Sequence, residues 1–175
     1  MKTIIAMVFA VSVLASGASG AAALELHVKK SVTIAAPADK VWDAVKNFNE
    51  LNTWHPAVAT DEIVSGTNNT PGAVRLLTLK GGGTIKEKLL EFDATGHRYR
   101  YSIVEGVIPV THYSSSLVVT SIANDKTLVT WSGRFKRKNL GDAPADNEND
   151  AAATDAITGV YQSGLDNLKK ILAAK

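Results

Sequence analysis

From Thr60 to Lys136 apolar and polar residues alternate with a period of two, in six segments: Thr60–Ser65, Ala73–Leu79, Thr84–Asp93, Arg98–Glu105, Tyr113–Ile122 and Thr127–Lys136. Side chains on a strand point to opposite faces in turn, so the alternation gives each segment one face for a core and one for water. The breaks between them are turn chemistry, as in Thr67-Asn68-Asn69-Thr70-Pro71-Gly72, Asp93-Ala94-Thr95-Gly96 and Ala123-Asn124-Asp125-Lys126. Such breaks join consecutive antiparallel strands as hairpins, and the expected sheet is a meander.

Two helices and one more strand flank this run. Leu26–Ala35 is a β-branched opening strand that Ala36-Pro37 ends. Pro37 suits a first helical turn and Asp39 its positive end, while Val41, Trp42, Val45 and Phe48 share one face, giving a short helix over Ala38–Phe48. Asn139–Asp150 is acidic and rich in breakers, which predicts a surface loop. After it, Ile157, Val160, Tyr161, Gly164, Leu165, Leu168, Ile171 and Leu172 recur at spacings of three and four, the stripe of an amphipathic helix that packs on the sheet.

Composition narrows the chemistry. The chain has no cysteine, which excludes a disulfide framework, thiolate metal sites and a cysteine nucleophile. Lys plus Arg is 19 against 17 for Asp plus Glu, with no basic block, so a nucleic-acid partner is not expected. Apolar residues are 45% and charged residues 21%, as in a folded domain. Lys2, the uncharged run Thr3–Ala15 and the small residues Ser16–Ala23 form a secretory leader, with cleavage expected after Ala23. The run is shorter than the roughly 20 residues of a membrane span, and the mature chain Leu24–Lys175 is expected in a periplasm or outside the cell as one domain, with no span of its own. His27, His55, His97 and His112 lack metal-ligand spacing and no Gly-x-Ser-x-Gly motif occurs, so neither a metal nor a cofactor is expected.

The element order, with Ala35-Ala36-Pro37-Ala38-Asp39-Lys40-Val41-Trp42 and Trp54-His55-Pro56 at its first junctions, resembles the START/Bet v 1-like (SRPBCC) superfamily. Gly72-Ala73-Val74-Arg75 and Gly83-Thr84-Ile85-Lys86-Glu87-Lys88-Leu89 resemble its polyketide cyclase/dehydrase branch, and Ile157–Leu172 is similar to the MxaD-like periplasmic proteins. The resemblance implies an α+β helix-grip fold, a curved antiparallel sheet wrapped around a long C-terminal helix with an internal cavity. It also implies an exported, non-enzymatic binding protein for a small apolar ligand, or an auxiliary that helps a periplasmic dehydrogenase meet its cytochrome. A cyclase/dehydrase-type enzyme is the alternative, for which Glu87, Tyr113 and His112 are the acid–base candidates.

Strand alternation places Ile85, Glu87 and Leu89 on one face and Lys86 and Lys88 on the other, so Glu87 is expected to point inward. An inward carboxylate needs a partner, either a ligand or an ion pair with Arg75 or Arg134. The plant abscisic-acid receptors are similar around Lys86–Leu89 and His112–Ser115, which puts Glu87, Tyr113 and Ser115 at ligand-contacting positions, although Lys80–Thr84 departs from the receptors' gate sequence. Leu89, Tyr101, Arg134 and Tyr161 complete the expected ligand-binding set. Tyr99 and Trp131 are expected to fill the core, and Gly81-Gly82-Gly83 to form a flexible turn.

Overall fold

The computed structural model describes residues 23–173. All but the last residue of the expected leader lie outside the described residues. The elements are β1 (Leu26–Ile34), α1 (Ala38–Val45), β2 (Val58–Ser65), β3 (Val74–Leu79), β4 (Thr84–Asp93), β5 (Arg98–Gly106), β6 (Val110–Ala123), β7 (Lys126–Arg137) and α2 (Asp150–Ala173). Short 3₁₀ turns occupy Leu51–Thr53 and Asp146–Glu148.

The strands form one antiparallel sheet of seven in the order β1-β7-β6-β5-β4-β3-β2. Neighbours in sequence are neighbours in space from β2 to β7, the meander that the turn chemistry called for, and β1 closes against β7. Register shifts between Leu89 and Glu91 and between Thr111 and Ser114 bend the strands, because a bulge adds a residue on one side of the ladder. The curved sheet has a concave face covered by α2, which lies against β1 and β7. From α2, Ala153, Ile157, Tyr161, Gly164, Leu165, Leu168 and Leu172 are buried there. The curved sheet and the long helix across it are the expected helix-grip architecture.

Element ends moved where side chains took over backbone bonds. α1 stops at Val45 rather than Phe48, since the Phe48 N–H turns away to the Asn69 side-chain oxygen at 2.9 Å. β6 starts at Val110, three residues early, because His112 adopts φ 50° at the bulge and breaks the alternation that sequence reading relies on. The acidic segment is less of a loop than expected. Arg137 is buried and donates to Asp150 Oδ1 at 2.8 Å and to the carbonyls of Asn139 and Gly141 at 2.8 and 2.9 Å. Asn149 caps α2 by accepting the Ala152 N–H at 2.9 Å, so the helix starts at Asp150.

The junction Trp54-His55-Pro56 docks the helix. His55 is buried; its Nδ1 accepts the Ala57 N–H at 3.2 Å, which leaves Nε2 to donate to the Val160 carbonyl at 3.0 Å. Burial holds this imidazole below its usual pKa and hence neutral. Asn167 donates to the Trp54 carbonyl at 2.8 Å. Gly164 is what lets α2 come this close: a Cβ there would stand 2.6 Å from His55 and 2.9 Å from Trp131.

Candidate functional site in the concave face

Two polar groups lie inside the concave face, one ionic and one neutral. The ionic group forms at the β2–β4 end. Arg75 on β3 stands opposite Glu87 on β4, and both side chains point inward. Its Nε donates to Glu87 Oε2 at 2.8 Å and Nη2 lies 2.6 Å from the same oxygen, which leaves Oε1 outside the pair. Nη1 donates to the Phe48 carbonyl and lies 3.3 Å from Asp61 Oδ2 on β2. The guanidinium carbon sits 4.1 Å from the Phe48 ring centroid and 5.4 Å from that of Tyr101. A buried cation thus has ionic, hydrogen-bonded and aromatic partners on every side, the condition under which burial is tolerated.

Charge at this end does not balance, because two carboxylates meet one guanidinium. Burial pushes Asp61 and Glu87 above the ordinary carboxylate range, and Arg75 opposes the shift in both. Asp61 Oδ2 also accepts the Leu51 N–H at 2.9 Å, while its Oδ1 is buried with no partner.

The neutral group lies toward β5–β7 and α2. Ser115 on β6 donates to the Ser132 carbonyl at 2.9 Å and accepts from Tyr161 of α2 at 2.9 Å. With the Tyr161 proton committed, Tyr113 must donate to Tyr161 at 2.7 Å, and Tyr101 in turn faces Tyr113 at 3.4 Å. Trp131 Nε1 donates at 3.0 Å to both the Tyr101 and Ser115 hydroxyls. The bonds therefore run one way, Tyr101 to Tyr113 to Tyr161 to Ser115 to a backbone carbonyl. The first link is the longest and weakest, which makes the Tyr101 proton the one most free for another acceptor. Burial raises the pKa of Tyr101 and Tyr113 and brings Tyr161 up to about 12, so all three stay neutral hydrogen-bonding groups.

Gly133 makes room for this relay. It stands opposite Ser115 in the ladder, and a Cβ there would lie 2.3 Å from the Tyr161 hydroxyl. Trp131 supports the same ring by stacking on it, centroids 4.6 Å apart and planes 14° from parallel. Tyr113 also lines a concavity of about 270 Å³ with Ile103, Val110, His112 and Lys138. Exposed Val104 lines it too, and the exposed Val107 packs against the β3–β4 turn, where a Cβ on Gly83 would meet its side chain at 2.7 Å.

Six of the seven expected ligand-binding residues are buried inside the sheet: Tyr101, Tyr113, Ser115 and Tyr161 join in the relay, Glu87 lies in the ionic group, and Leu89 is buried on the strand of Glu87. Arg134 does not join them. It is exposed on the outer face, because β7 turns Phe135 and Gly133 inward on either side of it. Of the two ion-pair partners open to Glu87, the structure uses Arg75. Sequence reading missed Asp61, whose only signal is its place two residues before inward Ile63, and it assigned Trp131 to packing without its hydrogen-bonding role. His112 is exposed at the rim rather than inside.

A family model described as "Polyketide cyclase / dehydrase and lipid transport" matches residues 25–173. The chain belongs to that family. Its Bet v 1-like kinship extends to MLP-like protein 423 of Arabidopsis thaliana, 28% identical over 121 residues, 64% of this chain and 76% of that one. Among solved structures it is similar to the protein XoxI of Bacillus cereus, with 30% identity, a TM-score of 0.73, and 84% of this chain and 95% of that chain covered. The Zhui aromatase/cyclase of Streptomyces shares the fold at 19% identity, with a TM-score of 0.68 over 86% of this chain and 94% of that one.

Proposed function

We propose that this member of a Bet v 1-like ligand-binding family takes up a small apolar molecule between the concave sheet face and α2, with a carbonyl or similar acceptor of that molecule received by the Tyr101–Tyr113 end of the hydroxyl relay. The observation that carries this reading is the double position of Tyr113, which belongs to the buried relay and also lines the opening beside the β5–β6 hairpin. The weak Tyr101–Tyr113 link is the bond a ligand acceptor can replace at least cost. Leu89 and the aromatic rings supply apolar walls, as small-molecule sites commonly do. Glu87 is held by Arg75 as scaffolding in this reading. The family match also supports a second one, a cyclase/dehydrase-type reaction, in which the neutral tyrosines are proton donors and Glu87 Oε1 is the acid–base group.

Export and an auxiliary place beside a periplasmic dehydrogenase and its cytochrome are part of the proposal. Export rests on the leader pattern alone, and the auxiliary place on the MxaD-like resemblance, toward which the similarity to XoxI also points. Among the described residues no helix is long and apolar enough to cross a membrane.

The test is saturable binding of the neutral apolar dye phenylnaphthylamine to the folded protein, with displacement by a medium-chain methyl ketone. Leu89→Trp places a larger ring where the ligand is proposed to lie and should abolish binding while far-UV circular dichroism stays unchanged. Full retention of dye binding in that variant would refute the assignment.

A further inference from the structure

The outer face of the same sheet carries a second polar arrangement, and it differs from its surroundings. Lys29, Ser132, Ser116 and Arg100 stand directly opposite one another across β1, β7, β6 and β5. The next row in register is His27, Arg134, Ser114 and Ser102. Long cationic side chains therefore surround a floor of serines, and the difference in side-chain length leaves an open hollow of about 540 Å³. Its lining includes Lys29, Arg100, Arg134, Ser114, Ser116 and Ser132 and contains no aspartate or glutamate.

Three features separate this hollow from an ordinary solvated face. Some cations of the sheet are neutralised, as in Lys86 with Glu105 at 3.4 Å and Arg98 with Asp93 at 3.1 Å, and Lys30, Lys88, Lys126 and Lys136 stand singly, whereas this hollow gathers several cations around one space. Lys29 and Arg134 have no carboxylate within salt-bridge range among the described residues. Arg100 spends one nitrogen on Glu91 at 2.6 Å, and His27 Nε2 lies 3.2 Å from Glu25 at the edge. Serine also lacks the branched side chain that favours strands, so four at outward positions weaken the sheet relative to threonine or valine. Finally, the hydroxyls keep spare capacity: Ser116 and Ser132 bond each other at 3.2 Å, which uses one of their two protons.

We infer that this hollow is a binding site for an oxyanionic group, a phosphate or phosphate ester of two or more negative charges. The cations supply attraction and charge-assisted hydrogen bonds, and the serines donate to the remaining oxygens, a combination suited to tetrahedral oxyanions. The hollow opens on the opposite face from the relay and shares only Ser115 with it, so it is tested separately from the interior ligand by the outward Lys29, Arg134, Ser116 and Ser132.

The experiment is a titration of the ¹⁵N-labelled protein with pyrophosphate at constant ionic strength. Saturating shifts confined to the amides of Ser114, Ser116, Ser132 and Gly133 and their neighbours are expected. The double variant Lys29→Gln, Arg134→Gln should weaken binding by about tenfold or more, since charged contacts dominate such sites. Ser116→Val with Ser132→Val fills the floor at unchanged charge and should weaken it about threefold or more, as loss of the hydroxyl donors requires. Sedimentation with phosphatidylglycerol vesicles, competed by pyrophosphate, would assign the group to a lipid headgroup; pyrophosphate binding without sedimentation would assign it to a soluble phosphate. Shifts that fail to saturate, or affinity unchanged in both double variants, would overturn the site.

Discussion

The two polar groups under α2 solve the same burial problem with different physics. At the β2–β4 end a guanidinium is locked by two carboxylates, a carbonyl and two aromatic rings, so removing the guanidinium leaves two buried carboxylates without their counter-charge. Toward β5–β7 the groups are neutral hydroxyls in a one-way relay that ends on a carbonyl, and each link is worth about 1 kcal/mol net. The ionic end is thus rigid and costly to disturb. The neutral end can exchange a bond with an incoming acceptor at little cost, which is why recognition is placed there.

Arg75→Leu attacks the rigid end and should have the largest effect. Two carboxylates lose their only buried cation, and denaturant unfolding should show a loss of about 3–5 kcal/mol. A loss under about 1 kcal/mol would mean that the ionic group does not hold the fold.

Alkaline pH probes the neutral end. Tyr99, Tyr101, Tyr113 and Tyr161 are buried with raised pKa values, so their protonated forms are favoured by folding. That contribution is intact below the unfolded value near 10 and is lost as pH rises toward each folded value, about 12 for Tyr161. Each tyrosine adds a slope of about 1.4 kcal/mol per pH unit in that window, so stability should fall steeply above pH about 10. Tyr161→Phe should flatten the fall, and an unchanged profile would contradict the burial.

Gly133→Ala sharpens the contrast by leaving the ions alone. The added Cβ displaces the Tyr161 hydroxyl from Ser115 and should cost about 1–3 kcal/mol by overpacking. Tyr161→Phe in the same background should recover part of it, because the clashing oxygen is gone. Failure of that rescue would show that the strain lies in the backbone.

What the sequence made legible follows the same division. Period-two alternation placed Glu87, Leu89, Tyr101, Tyr113 and Ser115 on the inner face because the in–out alternation of side chains holds locally at each of them. It put Arg134, which lies exposed on the outer face, in the ligand-binding set, since alternation assigns a face and not what that face meets. Asp61 went unseen because its partner Arg75 is an aspartate's natural companion only after β2 and β3 pair. The direction of the relay depends on which oxygen Ser115 donates to, a fact of three-dimensional register that no local pattern carries. The His112 bulge hid the start of β6 for a related reason, because a left-handed residue interrupts the period without a glycine to announce it.

The division of labour between the two ends is tested most directly by measuring ketone affinity, through dye displacement, and melting temperature together in Tyr101→Phe and Glu87→Gln. Removing the Tyr101 proton takes away the donor offered to the ligand, so affinity should drop about fivefold to tenfold, equivalent to about 1 kcal/mol or somewhat more, with little change in melting temperature. Glu87→Gln should do the reverse, lowering the melting temperature and leaving affinity nearly intact. Affinity lost in Glu87→Gln and kept in Tyr101→Phe would contradict the account and move recognition to the ionic end.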